Sequence, residues 1–305
     1  MKRQITSSLL AAVLITSLAA PVGAQFGGIS VVEPEVVDPG AEPRQELRYR
    51  FVEGQTGTMA MDMIMDMATS MDGIPMDEAA GAFDMSAQLA MTVTDVYDDG
   101  SARVEQTFTS YAFGETGDPV ADAQLAAMSG QLEGVTVWQV IDDRGAVLEL
   151  GSEAFASLPP ELRQQALDST YSVQPFPEEA VGVGALWVAA GSMSSQGLPI
   201  SMSVENEVLE LTDEGAVLAI AIAADADGVT DLVDDTLAGV TATVDHFEVN
   251  GGGTIEVAFD TLIPTSQADM DVTMEMSVEA GEGDETFAYG IGLAMLMDIE
   301  VYPVE

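Results

Sequence analysis

The sequence predicts a mainly β protein (α+β in the broad sense): a curved antiparallel sheet or half-barrel with two or three short helices. Three observations point to it. Apolar and polar residues alternate along several long stretches, acidic turns with a glycine separate those stretches, and only brief segments carry helical spacing.

The N-terminus has Lys2 and Arg3, an apolar run over residues 8–20, and a small-residue site at Val22-Gly23-Ala24. That is the pattern of a secretory signal peptide over residues 1–24, cleaved after Ala24. Its apolar run is shorter than the ~20 residues a spanning helix needs. The chain is therefore expected to be secreted, outside the cell or in its envelope. Residues 25–43 mix Gly, Pro and Glu without periodicity and are expected to be a disordered leader.

Order is expected from residue 44, where Leu47, Tyr49 and Phe51 alternate with Arg48, Arg50 and Val52. Hairpins are predicted at Asp98-Asp99-Gly100, Asp142-Asp143-Arg144-Gly145 and Thr212-Asp213-Glu214-Gly215, and a fourth at Asn250-Gly251-Gly252-Gly253. In each, glycine supplies a positive φ and the acidic residue bonds to nearby backbone. Helices are expected over 119–131, over 158–171 and, shorter, over 229–239.

Met59, Met61, Met63, Met65 and Met67 occupy every second position of one predicted strand, opposite Asp62, Ile64 and Asp66. Alternate residues of a strand share a face and repeat at ~6.8 Å. A second stripe holds Met270, Val272, Met274, Met276 and Val278, against Asp269, Asp271, Thr273 and Glu275, and Met295 and Met297 continue the usage. Valine replaces methionine within the second stripe yet cannot bind a metal, so the pattern requires apolar side chains rather than sulfur. Three readings stand side by side: a methionine-rich core, a pliable cavity for a lipid or other apolar ligand, and Cu(I) ligation by converging thioethers. In the cavity reading the lining is Met59, Met61, Met63, Met65, Met67, Met270, Met274 and Met276.

Two halves share an order of features. Leu132-Glu133-Gly134-Val135-Thr136 and Leu237-Ala238-Gly239-Val240-Thr241 each follow a helical stretch, and the turns at Gly100 and Gly215 correspond. An internal duplication is expected, with one β-rich repeat over 44–172 and another over 173–305.

The chain has no cysteine, so thiol catalysis, disulfides and zinc–thiolate sites are excluded. Its formal charge is −44; without Lys2 and Arg3, six arginines face 52 acidic residues, a balance of −46. Such a surface repels nucleic acid and anionic headgroups. The 47% hydrophobic content argues against general disorder. Adaptation to high salt is the expected reason for the charge, with a cation-coated surface as the competing account.

Catalytic signals are weak. His246 is the lone histidine, and Asp98-Asp99, Asp142-Asp143 and Asp234-Asp235 are pairs expected in so acidic a chain. Asp225, Asp227 and Gly228 partly fit a calcium loop, but Ala223 stands at its first ligand position. Trp138 and Trp187 are read as core anchors. No catalytic residue, metal site or cofactor is assigned, and an enzyme is not expected.

The order of features resembles uncharacterised exported proteins of actinobacteria that share a domain of unknown function. The matching points are Leu-x-Tyr-x-Phe-x-x-Gly at 47–54, Leu-x-Gly before an Asp-x-x-Gly turn at 132–145, and Pro-x-x-x-Val-x-Val-Gly-x-x-Trp at 177–187. More distantly the layout is similar to lipoprotein carriers of the LolA and LppX type, though without their lipid-bearing cysteine. The second resemblance implies a curved sheet around an apolar cavity; neither brings catalytic residues. The expectation is thus an exported, acidic, non-enzymatic protein binding an apolar small molecule or lipid. The alternative is a structural or interaction module at the cell surface, with protein partners the sequence does not name.

Overall fold

In the computed structural model the described residues are 30–31, 34–75, 81–114, 119–152, 173–195, 198–226, 231–232, 240–282 and 285–304. They form one antiparallel sheet. The first half contributes β1 (Ser30–Val31), β2 (Glu35–Asp38), β3 (Thr56–Met71), β4 (Ile74–Pro75), β5 (Gly81–Val96), β6 (Ala102–Phe113), the helix α1 (Pro119–Leu132), β7 (Thr136–Ile141) and β8 (Val147–Gly151). The second half contributes β9 (Leu186–Ser195), β10 (Leu198–Leu211), β11 (Gly215–Asp225), β12 (Asp231–Leu232), β13 (Val240–Ala258), β14 (Thr265–Glu282) and β15 (Glu285–Val304). The sheet runs β1-β9-β10-β11-β13-β14-β15-β3-β5-β6-β7-β8, with β2 also on β9, β4 on β3 and β12 on β13. The runs β3-β5-β6-β7-β8 and β9-β10-β11-β13-β14-β15 each follow chain order, β1 and β2 cross over to β9, and β15 against β3 joins the two runs.

The sheet is curled, and the hydrogen bonds at one end require it. Tyr49 N donates to Asp143 O in the β7–β8 turn, while the next residue, Arg50, donates to Phe259 O after β13. On a flat sheet β7 and β13 would stand ~29 Å apart, six spacings of ~4.8 Å. Likewise Phe176 N donates to Arg144 O beside β7, and Gln174 Nε2 donates to Asn206 Oδ1 on β10. Those strands are eight spacings apart, ~38 Å if flat. Curling turns one face inward, where the buried side chains of its strands meet in one core. The curl does not close: β8 forms one margin and the β1/β2 pair, on β9, the other.

Inner and outer faces follow the strand period. On β14, Met270, Val272, Met274, Met276 and Val278 are buried while Asp269, Asp271 and Glu275 are exposed. β3 buries Met59, Met61, Met63 and Met65 and exposes Asp62, Ile64 and Asp66. Carboxylates on the outside are the reverse of a transmembrane β-barrel, whose lipid-facing band is apolar. Among the described residues no helix is long and apolar enough to cross a membrane.

The hairpins at Gly100, Gly145 and Thr212–Gly215 form, the first two with the expected positive-φ glycine and the third with Gly215 outside that region and Thr212 as the acceptor. Asp99 Oδ1 accepts from Ser101 N and Oγ, Asp142 Oδ1 accepts from Arg144 N and Ala146 N, and Thr212 Oγ1 accepts from Glu214 N and Gly215 N. The fourth does not: Gly251, Gly252 and Gly253 lie inside β13. These glycines answer a close approach rather than a turn. A Cβ on Gly253 would stand 2.0 Å from Gln267 O, and one on Gly251 2.3 Å from Met270 Cγ. The bare backbone lets β13 and β14 crowd where the sheet bends.

Three other expectations change. Among the described residues there is one helix, Pro119–Leu132, at the place predicted for 119–131. Of 229–239, Asp231–Leu232 is a strand on β13 rather than helix, and its neighbours, like the predicted helix at 158–171, lie outside the described residues. The 25–43 segment is not wholly a disordered leader. Ser30–Val31 and Glu35–Asp38 pair with β9, with Val36 opposite Trp187, because an edge strand offers free backbone groups to the chain beside it.

Candidate functional site

The register places the methionines in rows across neighbouring strands. Met65, Met297 and Met270 sit side by side on β3, β15 and β14, and Phe83 on β5 extends that row. The next row holds Met67, Met295 and Val272, and the row below pairs Met63 with Met85 and with Ile299. Met59, Met61, Met63, Met65, Met270, Met274 and Met276 are all buried, so the predicted face exists and points inward. Of the eight, only Met67 is part-exposed.

Most of this wall is solid. Met59 and Met63 are each 1% exposed and Met274 and Met276 3%. Their surfaces are covered by other side chains, among them Ile299, Leu89 and Met91 of the same core. Met85 and Met91 were not singled out from the sequence. The alternation Phe83, Met85, Ala87, Leu89, Met91 against Asp84, Ser86 and Gln88 carries the signal, but alanine and glutamine dilute it.

The two ends of the curl differ. At one end residues 44–55 and 173–181 fold across the opening as a plug. Leu47, Tyr49, Val173 and Phe176 are buried there, with the Tyr49 and Phe176 rings stacked at 4.9 Å and Phe259 edge-on to Phe176 at 5.9 Å. Arg48 Nη1 donates to both carboxylate oxygens of Asp143 at 2.7 and 2.8 Å, Arg50 Nη2 donates to Asp213 O, and Tyr49 Oη donates to Gln174 O. The Glu46 and Asp143 carboxylates hold the Arg48 guanidinium above its ordinary value.

At the opposite end, among the described residues, the inner face ends in a half-buried apolar band. Met67, Phe83, Tyr111, Phe113 and Ile291 are half-buried and pack against the core. Phe83 and Phe113 lie 5.4 Å apart and Tyr111 meets Phe113 edge-on at 5.0 Å. Tyr111 Oη donates to Met85 Sδ at 2.9 Å, and a thioether is a weak acceptor. Burial pushes the Tyr111 phenol up to about 12, so it stays protonated and able to donate. Also in this half, Thr69 Oγ1 is buried with no hydrogen-bond partner.

The remaining candidates have structural work. Asp99 and Asp142 brace their turns, and the hydrogen bonds from Ser101 hold the Asp99 carboxyl below the ordinary value. His246 is exposed on β13, 3.4 Å from Glu248. Asp225 ends β11 and Asp231 lies in β12, while Asp227, Gly228 and Asp234-Asp235 fall outside the described residues. Trp187 is a core anchor, fully buried. Trp138 is not: it is half-buried beneath Arg103, whose guanidinium stands 4.2 Å from the ring centroid. Among the described residues no group of three or more His, Asp or Glu side chains is placed to hold a metal ion.

No family model matches the chain, and no curated protein matches it. Among solved structures it is similar to an outer membrane channel from Pseudomonas putida F1, at 9% sequence identity over 84% of this chain and 98% of that one. The TM-score is 0.22, too low for that likeness to carry an argument about this chain.

Proposed function

We propose that this is an exported, non-enzymatic protein that binds an apolar ligand at the unplugged end of its curled sheet. The observation that carries the reading is the half-buried band of Met67, Phe83, Tyr111, Phe113 and Ile291, which the register makes continuous with the buried methionine rows. Behind that band stand Met65, Met297, Met85 and Met295, unbranched side chains that re-pack around varied apolar shapes. A ligand therefore enters by displacing thioether rotamers rather than by filling a finished cavity.

The test is direct. Organic extracts of the protein purified from its native host are examined by mass spectrometry, and a fluorescent fatty alcohol and fatty acid are titrated into the delipidated chain. The reading expects a retained apolar molecule, or saturable binding of one probe per chain that is lost in Phe83→Asp. An empty extract together with no saturable binding of either probe rejects it.

A second reading has its own observation. Met59 and Met63, at the centre of the predicted ligand face, are sealed by protein, as in a solid core. That favours a structural or protein-interaction module, the outcome to which a failed ligand search leads.

A further inference from the structure

The charge layout around the unplugged end points to an uncharged ligand: we infer that the bound molecule carries no carboxylate or phosphate. The inference rests on the apolar-ligand reading above and adds the chemical class of its head.

An anionic amphiphile in an apolar wall needs a cation or several donors to replace its water, because burying an uncompensated charge is far costlier than burying a neutral polar group. The chain's one lysine is Lys2, in the signal region. Five of the six later arginines are described, and all belong to the plugged end. Arg44 donates to Gly40 O, Arg48 holds Asp143, Arg50 reaches Asp213 O, Arg103 lies over Trp138 near the β5–β6 turn, and Arg144 sits in the β7–β8 turn. The sixth, Arg163, lies outside the described residues. His246 is turned outward to Glu248.

What surrounds the unplugged end instead is negative. Asp66 and Asp84 are exposed on the outer face of the strands that carry Met67 and Phe83, and Asp72 follows β3. Among the described residues the polar side chains that face inward in this half carry hydroxyls. Tyr111 Oη donates a hydrogen bond to the Met85 thioether, and Thr69 Oγ1 is buried without a partner. A hydroxyl donor satisfies a ligand's alcohol, ester, ether or ketone oxygen, which stays neutral when desolvated. It does not neutralise an anion.

The experiment titrates a fluorescent fatty alcohol and the fatty acid of the same length and label at pH 8, in dilute buffer and in molar sodium chloride. The alcohol is expected to bind at least about tenfold more tightly, a preference worth ~1.4 kcal/mol. The preference should persist in molar salt, where the Debye length is about 3 Å and the outer carboxylates are screened. It should also persist in Arg163→Gln. Equal binding, or a preference for the acid, overturns the inference while leaving the apolar-ligand reading intact. So does a preference that vanishes in molar salt, since it would then come from the outer field and not from the site. If neither probe binds, the reading beneath it fails.

Discussion

The two ends of this sheet bury the same kind of surface with different chemistry. At the plugged end the closing side chains have fixed shapes, Trp187, Phe176, Tyr49 and Leu47, and directional bonds from Arg48, Tyr49 and Gln55 tie them to turns of several hairpins. Along the wall toward the other end Met63, Met65, Met297 and Met270 are buried beside Val272 and Ile299, so thioethers make up much of that surface. Shape and direction specify one arrangement; an unbranched thioether wall tolerates several. The difference places rigidity where the curl is held and adaptability where the inner face reaches the surface.

The largest effect that could break this comparison is at the plug. Phe176→Ala removes a ring packed between Tyr49 and Phe259 and should cost about 3–5 kcal/mol in urea unfolding. Next is the bend: Gly253→Ala puts a Cβ against the Gln267 carbonyl, which belongs to backbone and cannot swing aside. A loss of about 1–3 kcal/mol is expected. The methionine wall should be more forgiving. Met65→Leu and Met297→Leu are each expected to cost below about 1.5 kcal/mol, since volume is conserved. A loss from either leucine swap as large as that from Phe176→Ala would erase the distinction between the ends.

The inward faces were legible because a period of two leaves little choice once one face is apolar and the other carries aspartate. Met59 to Met67 and Met270 to Met276 read plainly for that reason. Two of the turns were legible because an aspartate and a positive-φ glycine each do a local task there, Asp99 with Gly100 and Asp142 with Gly145; in the third the acceptor is Thr212, and Gly215 leaves room for the Val257 carbonyl. Gly251–Gly253 misled because glycine serves turns and close strand crossings alike, and only the position of Met270 and Gln267 across the ladder tells them apart. The plug was hidden for a different reason. Tyr49 to Asp143 and Gln174 to Asn206 are contacts between segments far apart in the chain, and nothing local marks them. The open band was hidden too, because exposure at Phe83 and Tyr111 depends on where neighbouring strands stop.

A smaller effect sharpens the role of arginine at the plug. Arg48 and Asp143 are partly exposed, at 39% and 26% of their side chains, so their pair is not a buried ion pair. Arg48→Ala should cost about 1 kcal/mol or less. The loss should shrink little in molar salt if the two-oxygen hydrogen-bond geometry, rather than the long-range field, supplies it. An unchanged melting temperature in Arg48→Ala would leave the plug held by its rings and its other hydrogen bonds.

The smallest effect concerns the outer wall behind the methionines. Asp298 on β15 stands directly opposite Asp269 on β14, and like charges facing each other across a ladder are unfavourable. A hydrogen bond with Asp269, then desolvation, then the charges of Asp269 and Asp66 raise the Asp298 carboxyl above its ordinary value. The folded chain therefore keeps this proton to higher pH than the unfolded chain does. The stability linked to it is fully present below the ordinary aspartate value near ~3.9 and is lost as pH rises through the raised one. Above the raised value the ionised Asp298 faces Asp269 as a like charge. Asp298→Asn keeps a donor toward Asp269 and removes one charge, so its melting temperature at pH 7 in dilute buffer should exceed that of the unaltered chain. That gain should fade toward pH 4 and in molar sodium chloride, which screens charges beyond about 3 Å. A gain of equal size in dilute buffer and molar salt would show that the acidic wall is not limited by its own field, and the case for salt adaptation would go with it.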